Sequence, residues 1–181
     1  MMELLLEQRY DAITVQELLV RAGIGRSTFY AHYFDKEDVL ASIAEQMLET
    51  FRQQLSQGIA GQRIVPSLAL FRHVADPHGL RYQAMVRGRA GEKFWEIGQV
   101  LLSRNIEQAL TATCAEGCPP TIPLAVVSQY LAGAFLNLLK WWLEAGMPYS
   151  AEQMDSMFQQ LALPGVWATL GRKSEEAEEQ A

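Results

Sequence analysis

A chain of 181 residues, 49% apolar and 20% charged, can bury a sizeable core and is neither a disordered polymer nor a fibrous one. No stretch reaches the roughly 18 apolar residues a membrane-spanning helix needs, and the opening Met1-Met2-Glu3-Leu4-Leu5-Leu6-Glu7 lacks the basic flank and long apolar run of a signal peptide. The formal charge of −6 and an isoelectric point near 5.1 lend nucleic-acid binding no support in bulk, and two cysteines make no disulfide framework, so a cytoplasmic setting is expected.

In chain order, a stub helix is expected over 2–9 and a second helix over 14–22. Val15, Leu18, Leu19 and Ala22 share one face of the second, and Thr14 can cap it. Gly23 stands just past its end, where a left-handed residue is wanted. Ile24 can plug the turn, and Gly25 can open the next helix, over 26–33. So short a connection forces a sharp corner, the shape of a helix-turn-helix, whose second helix lies in the major groove. The chemistry of that helix suits the task. Arg26 carries a planar fork able to span the O6 and N7 of a guanine, while Ser27 and Thr28 are small and offer hydroxyls. Tyr30, His32 and Lys36 can reach phosphate oxygens. Between Arg21 and Lys36 the bases Arg21, Arg26 and Lys36 face the single acid Asp35, a local positive excess inside an acidic chain. Phosphate attraction is short-ranged in salt, so the local sign outweighs the total.

Beyond the corner, a helix over 36–57 opens with acidic residues at the positive end of its dipole and continues with Val39, Leu40, Ile43, Met47 and Phe51. Further helices are expected over 66–75, 78–88, 92–115, 122–145 and 150–163. They are punctuated by Pro66, Pro77, Pro119, Pro120, Pro123, Pro148 and Pro164, each read as a start or stop. Val126, Tyr130, Ala134, Leu138 and Trp142 form one stripe at helical spacing; Met154, Met157, Phe158 and Leu161 form another. Sustained strand alternation is missing from the sequence, so the fold class is all-α. The expected organisation is a helix-turn-helix head over 1–45, a helical body over 46–171 and a disordered acidic tail over 172–181.

Other groups carry weaker chemistry. His73 and His78 flank a loop without completing a metal set, and Cys114 with Cys118 supplies only two thiols, so no metal and no cofactor is expected. Arg81, Arg87, Arg89 and Lys93 read as a solvated basic face. Tyr82, Met85, Phe94, Trp95 and Phe135 can line an effector cavity in the body, although each taken singly suits core packing better. No nucleophile–base–orienter set or phosphate loop stands out, so an enzyme is not expected.

The run Thr14-Val15, Ala22-Gly23-Ile24-Gly25-Arg26-Ser27-Thr28-Phe29-Tyr30-Ala31-His32-Tyr33 and Lys36-Glu37 resembles the signature of the TetR family of bacterial transcription regulators, over roughly residues 4–48. The resemblance implies that Thr14, Gln16, Tyr30, His32 and Lys36 hold the DNA backbone and that Arg26, Ser27 and Thr28 face the bases. Ile24, Phe29, Leu18 and Tyr33 would then be core. A second echo, Trp141-Trp142-Leu143-Glu144-Ala145-Gly146-Met147-Pro148-Tyr149-Ser150-Ala151-Glu152-Gln153-Met154, resembles the joint before the family's last large helix. It implies a four-helix homodimer interface that includes Leu138, Trp142, Met154, Phe158 and Leu161. Three departures stand out: the first helix begins late, Arg9 occupies a position where a left-handed glycine is common, and Gly25 replaces a hydroxyl cap. The function so implied is a ligand-responsive regulator, a repressor on a palindromic operator with a small-molecule effector and no membrane partner. The alternative is a dimeric ligand-binding protein whose shortened head no longer engages DNA.

Overall fold

The protein is described by a computed structural model covering residues 1–60, 65–76, 89–113 and 120–171. The regular elements among these are all helical, with no strand. In chain order they are α1 (Met2–Glu7), α2 (Val15–Ala22), α3 (Arg26–Tyr30), α4 (Lys36–Ala60), α5 (Ser67–Ala75), α6 (Arg89–Thr113), α7 (Leu124–Glu144) and α8 (Ala151–Thr169). A single 3-10 turn, Tyr10–Ala12, joins α1 to α2. The expected helix over 78–88, the pair Cys114 and Cys118, His78 and the acidic tail lie outside the described residues. None of the described helices is long and apolar enough to cross a membrane.

The head closes around Ile13, Leu18, Leu19, Phe29, Leu40 and Ala44, all buried. Two sequence expectations change here. Arg9 sits in extended backbone (φ −68°, ψ 145°), so it avoids the left-handed region and its cost. Ile24 is not core: it leaves 38% of its surface exposed, because Phe29, at 3%, is the side chain that closes the corner. The head also borrows from the body. Phe94 of α6 belongs to its core cluster, with Ile97 and Leu101 packed beside it.

In the body, α6 lies along both α4 and α7, and α5 packs on α8. Its centre is an aromatic chain in which Phe71 stands edge-on to Phe135 (5.3 Å) and to Trp142 (5.2 Å), and Phe135 edge-on to Phe158 (5.3 Å). Such pairs contribute about 0.5–1.5 kcal/mol each beyond the area they bury. A buried polar knot fastens α5 to α8, with the Ser67 hydroxyl donating to Asp155 and Gln159 Nε2 donating to Val65 O (3.0 Å) and Ser67 Oγ (2.8 Å).

The joint between α7 and α8 uses two consecutive left-handed residues, Gly146 (φ 77°) and Met147 (φ 58°). Met147 N donates to Trp142 O (2.8 Å), and the Trp142 indole donates to Tyr149 O (3.0 Å). Ser150 and Gln153 then cap α8 reciprocally. Pro164 does not stop α8 as its sequence position predicts; the helix runs on to Thr169. Proline inside a helix costs about 3 kcal/mol, which burial of Ala162, Val166 and Thr169 offsets together with the bond from Thr121 N to Thr169 O (3.0 Å).

Candidate nucleic-acid interface

The corner forms for local reasons. Thr14 Oγ1 accepts from Glu17 N (3.2 Å) while the Glu17 carboxylate accepts from Thr14 N (2.7 Å) and Thr14 Oγ1 (2.8 Å), a reciprocal cap that starts α2. Gln8 Nε2 adds a bond to the same carboxylate (3.0 Å), and these bonds hold Glu17 below its ordinary value of 4.5, Gln8's being the largest cause. Gly23 at φ 65° ends the helix, with Ile24 N donating back to Leu19 O (3.1 Å). Gly25, extended at φ −80°, then opens α3 without a side-chain cap.

The corner leaves Arg26, Ser27 and Thr28 exposed at the start of α3, followed by exposed Tyr30 and His32. Arg26 Nη2 donates to Gln16 Oε1 (3.1 Å), so Gln16 of α2 steadies the guanidinium. Thr14 is occupied as the cap of α2. Lys36 is turned inward. Its ammonium donates to Tyr10 O (2.9 Å), Ile13 O (2.9 Å) and Asp11 O (3.5 Å), and stands over the Tyr10 ring at 4.4 Å. An ammonium has three protons, and here they tie the 3-10 turn to the start of α4. Arg21 is committed as well, to Glu7 (2.6 Å) and Glu3 (3.4 Å) across α1 and α2. The positive excess read from the sequence is therefore thinner than the count implies. Of Arg21, Arg26 and Lys36, Arg26 alone is held by neither a carboxylate nor a backbone carbonyl among the described residues.

Sequence reasoning missed Phe34, which follows Tyr33 and is 83% exposed on the loop between α3 and α4, with its N–H donating to Asp38 (2.7 Å). The available signal was an aromatic residue falling outside the helical period. Tyr10 is a second omission. Its hydroxyl is buried without a hydrogen-bond partner among the described residues, and burial, then the nearby carboxylates Glu37, Asp35 and Asp11, pushes it up to about 12.

Of the side chains expected around an effector, Phe94, Trp95 and Phe135 do line one cavity, of about 30 Å³, between α4, α5, α6 and α7. Tyr82 and Met85 lie outside the described residues. The expected dimer residues divide. Trp142, Met154 and Phe158 are buried inside one protomer at 1–3% exposure, because the aromatic chain of the body consumes them. Leu138 is half-buried, and Leu161 is 77% exposed. Also exposed are Val126, Tyr130 and Trp141 on α7 and Met157 on α8. No group of three or more metal-ligating side chains occurs among the described residues.

A capped helix, a left-handed glycine and a short second helix presenting Arg26 define a helix-turn-helix DNA-binding protein with a helical body. Residues 2–43 match the family model described as bacterial regulatory proteins of the tetR family, and residues 68–163 match a transcriptional regulator C-terminal region of the same family. The chain belongs to the TetR family of transcriptional regulators. A structure from Syntrophomonas wolfei described as a TetR-family transcriptional regulator shares the fold, with a TM-score of 0.61, 17% identity and coverage of 91% of this chain and 90% of that one. FadR of Bacillus halodurans, a fatty acid degradation regulator, superposes with a TM-score of 0.54 at 16% identity, covering 91% of this chain and 94% of its own. No curated protein matches the sequence.

Proposed function

We propose that this regulator is a ligand-responsive repressor that binds a palindromic operator as a homodimer. The observation that carries the reading is Arg26, exposed at the start of α3, free of carboxylates among the described residues and steadied by Gln16. A guanidinium so placed can read one guanine bidentately. Ser27 and Thr28 would approach neighbouring base edges, and Tyr30 and His32 the phosphates, while Lys36 and Thr14 act by holding the frame. Dimerisation would bring two such helices about 34 Å apart, one turn of DNA. The exposed apolar side chains of α7 and α8, Val126, Tyr130, Trp141, Met157 and Leu161, are the surface we assign to it. An effector in the body would change the spacing of the two heads.

The test is a salt-dependent titration of the full chain against DNA from upstream of its own gene. The reading expects sequence-specific binding that weakens steeply as salt rises. Arg26→Ala should lower discrimination between operator and random DNA by about 1–3 kcal/mol. Discrimination unchanged in that variant would remove Arg26 from base reading.

A further inference from the structure

We propose that the cavity between α4, α5, α6 and α7 takes an uncharged, predominantly apolar ligand, and that Phe94 reports its presence to the head. The inference rests on the ligand-responsive reading above and supplies the chemistry of the ligand and the route of the response.

The described wall is aliphatic, aromatic or bare backbone, and no polar atom of it is exposed to the cavity. A carboxylate or ammonium entering would shed its water with no polar atom exposed on that wall to replace it. An apolar body loses nothing on entry and gains the packing that a void forfeits. The size of the cavity carries the second step. At about 30 Å³ it is far below the roughly 300–1,000 Å³ of ordinary ligand sites, so anything beyond a few atoms enters only by moving the wall.

The wall is shared with the head. Phe94 and Met47 line the cavity and also pack in the head cluster that contains Tyr10, Ile13, Leu40 and Ala44. Phe94 is 5% exposed, with the cavity on one side and the head cluster on the other. Packing along this wall is imperfect, since Tyr10 Oη in the head cluster and Trp95 Nε1, whose ring stands edge-on to Phe94 at 6.1 Å, are buried donors with no hydrogen-bond partner among the described residues. Buried donors left unsatisfied weaken the packing that holds them, which makes this wall the place to yield. Beside Phe94, Lys93 pairs with Glu37 at 3.7 Å, in the first turn of α4. A ligand that displaces Phe94 therefore acts on the head's core and on the start of α4 together.

Calorimetric titration of the full chain with 1-octanol, octanoate and octylammonium tests the ligand class without DNA. One 1-octanol per chain is expected, bound at least tenfold more tightly than either ion. Equal or tighter binding of octanoate or octylammonium overturns the class, and so does no binding of any of the three. Gly98 supplies the bare stretch of wall, and a Cβ built there meets Leu136 Cδ1 at 3.8 Å, an ordinary contact. Gly98→Leu should therefore fill the cavity and weaken 1-octanol binding tenfold or more, and Gly98→Ala, which the space accepts, should weaken it less. Binding unchanged in both places the ligand elsewhere. Hydrogen exchange then tests the route. Saturating 1-octanol should speed amide exchange in residues 14–48 at least threefold, and Phe94→Leu should cut that response by half or more while still binding 1-octanol. An unmoved head overturns Phe94 as the reporter. None of these readouts uses DNA, so a chain that binds 1-octanol but no operator would refute the DNA reading and leave this one standing.

Discussion

The head and the body of this regulator are held together by different means. The body relies on area: Phe71, Phe135, Phe158 and Trp142 interlock edge to face among aliphatic side chains, and a buried polar knot, Ser67–Asp155–Gln159, sits within that packing. The head has less apolar surface to bury and depends on polar ties, namely the Thr14–Glu17 cap, the Lys36 ammonium on the carbonyls of Tyr10 and Ile13, and Arg21 between Glu3 and Glu7. It even takes one core side chain, Phe94, from α6. Small domains bury a smaller fraction of their surface, so directional bonds have to supply a larger share of their specificity.

The contrast can be broken by experiment. The largest effect is expected from Phe71→Ala, which removes a fully buried ring touching two others and should cost the body about 3–5 kcal/mol in urea denaturation. If the head melts at the same urea concentration as the body in that variant, the two regions are one cooperative unit and the contrast fails. Lys36→Met keeps the stem and deletes the ammonium. It should cost the head about 1–3 kcal/mol by orphaning part-buried carbonyls, with little effect on the near-ultraviolet signal of the body's tryptophans. Thr14→Ala removes the cap of α2 and should cost about 1 kcal/mol, seen as faster hydrogen exchange over residues 15–22.

The smallest effect is one of pH. Tyr10 is pushed up from 10 to about 12 in the folded head, so its contribution is fully present below pH 10 and is lost as pH rises through about 12. Alkaline titration followed by tyrosinate absorbance and far-ultraviolet dichroism should show the head opening in that window. Tyr10→Phe, which deletes an unpartnered hydroxyl, should shift the opening to higher pH. An unchanged alkaline midpoint would show that Tyr10 does not govern it.

The corner was legible because its determinants are neighbours in the chain. Thr14 and Glu17 are three residues apart, and Gly23 supplies the one left-handed position by its own nature. The all-α class followed from periodicity for the same reason. Misreadings arose wherever a side chain had to choose among partners. Trp142, Met154 and Phe158 carry the right spacing for an interface, and spacing alone cannot tell a stripe buried in its own protomer from one offered to a second copy. Lys36 has the charge for a phosphate, yet carbonyls more than twenty residues away in sequence take its protons. Pro164 breaks a local rule because burial farther along α8 outweighs it.

The sequence by itself determined the helix-turn-helix, the helical class, the joint at Gly146-Met147-Pro148 and the residues at the head of α3, because capping, turn geometry and apolar period act within a few residues. Only the tertiary structure decided which cations are spent inside the fold, which face of α7 and α8 remains exposed, and that Phe94 belongs to the head and the cavity at once. Burial and pairing depend on groups distant in the chain, and their outcome exists only once the helices have packed.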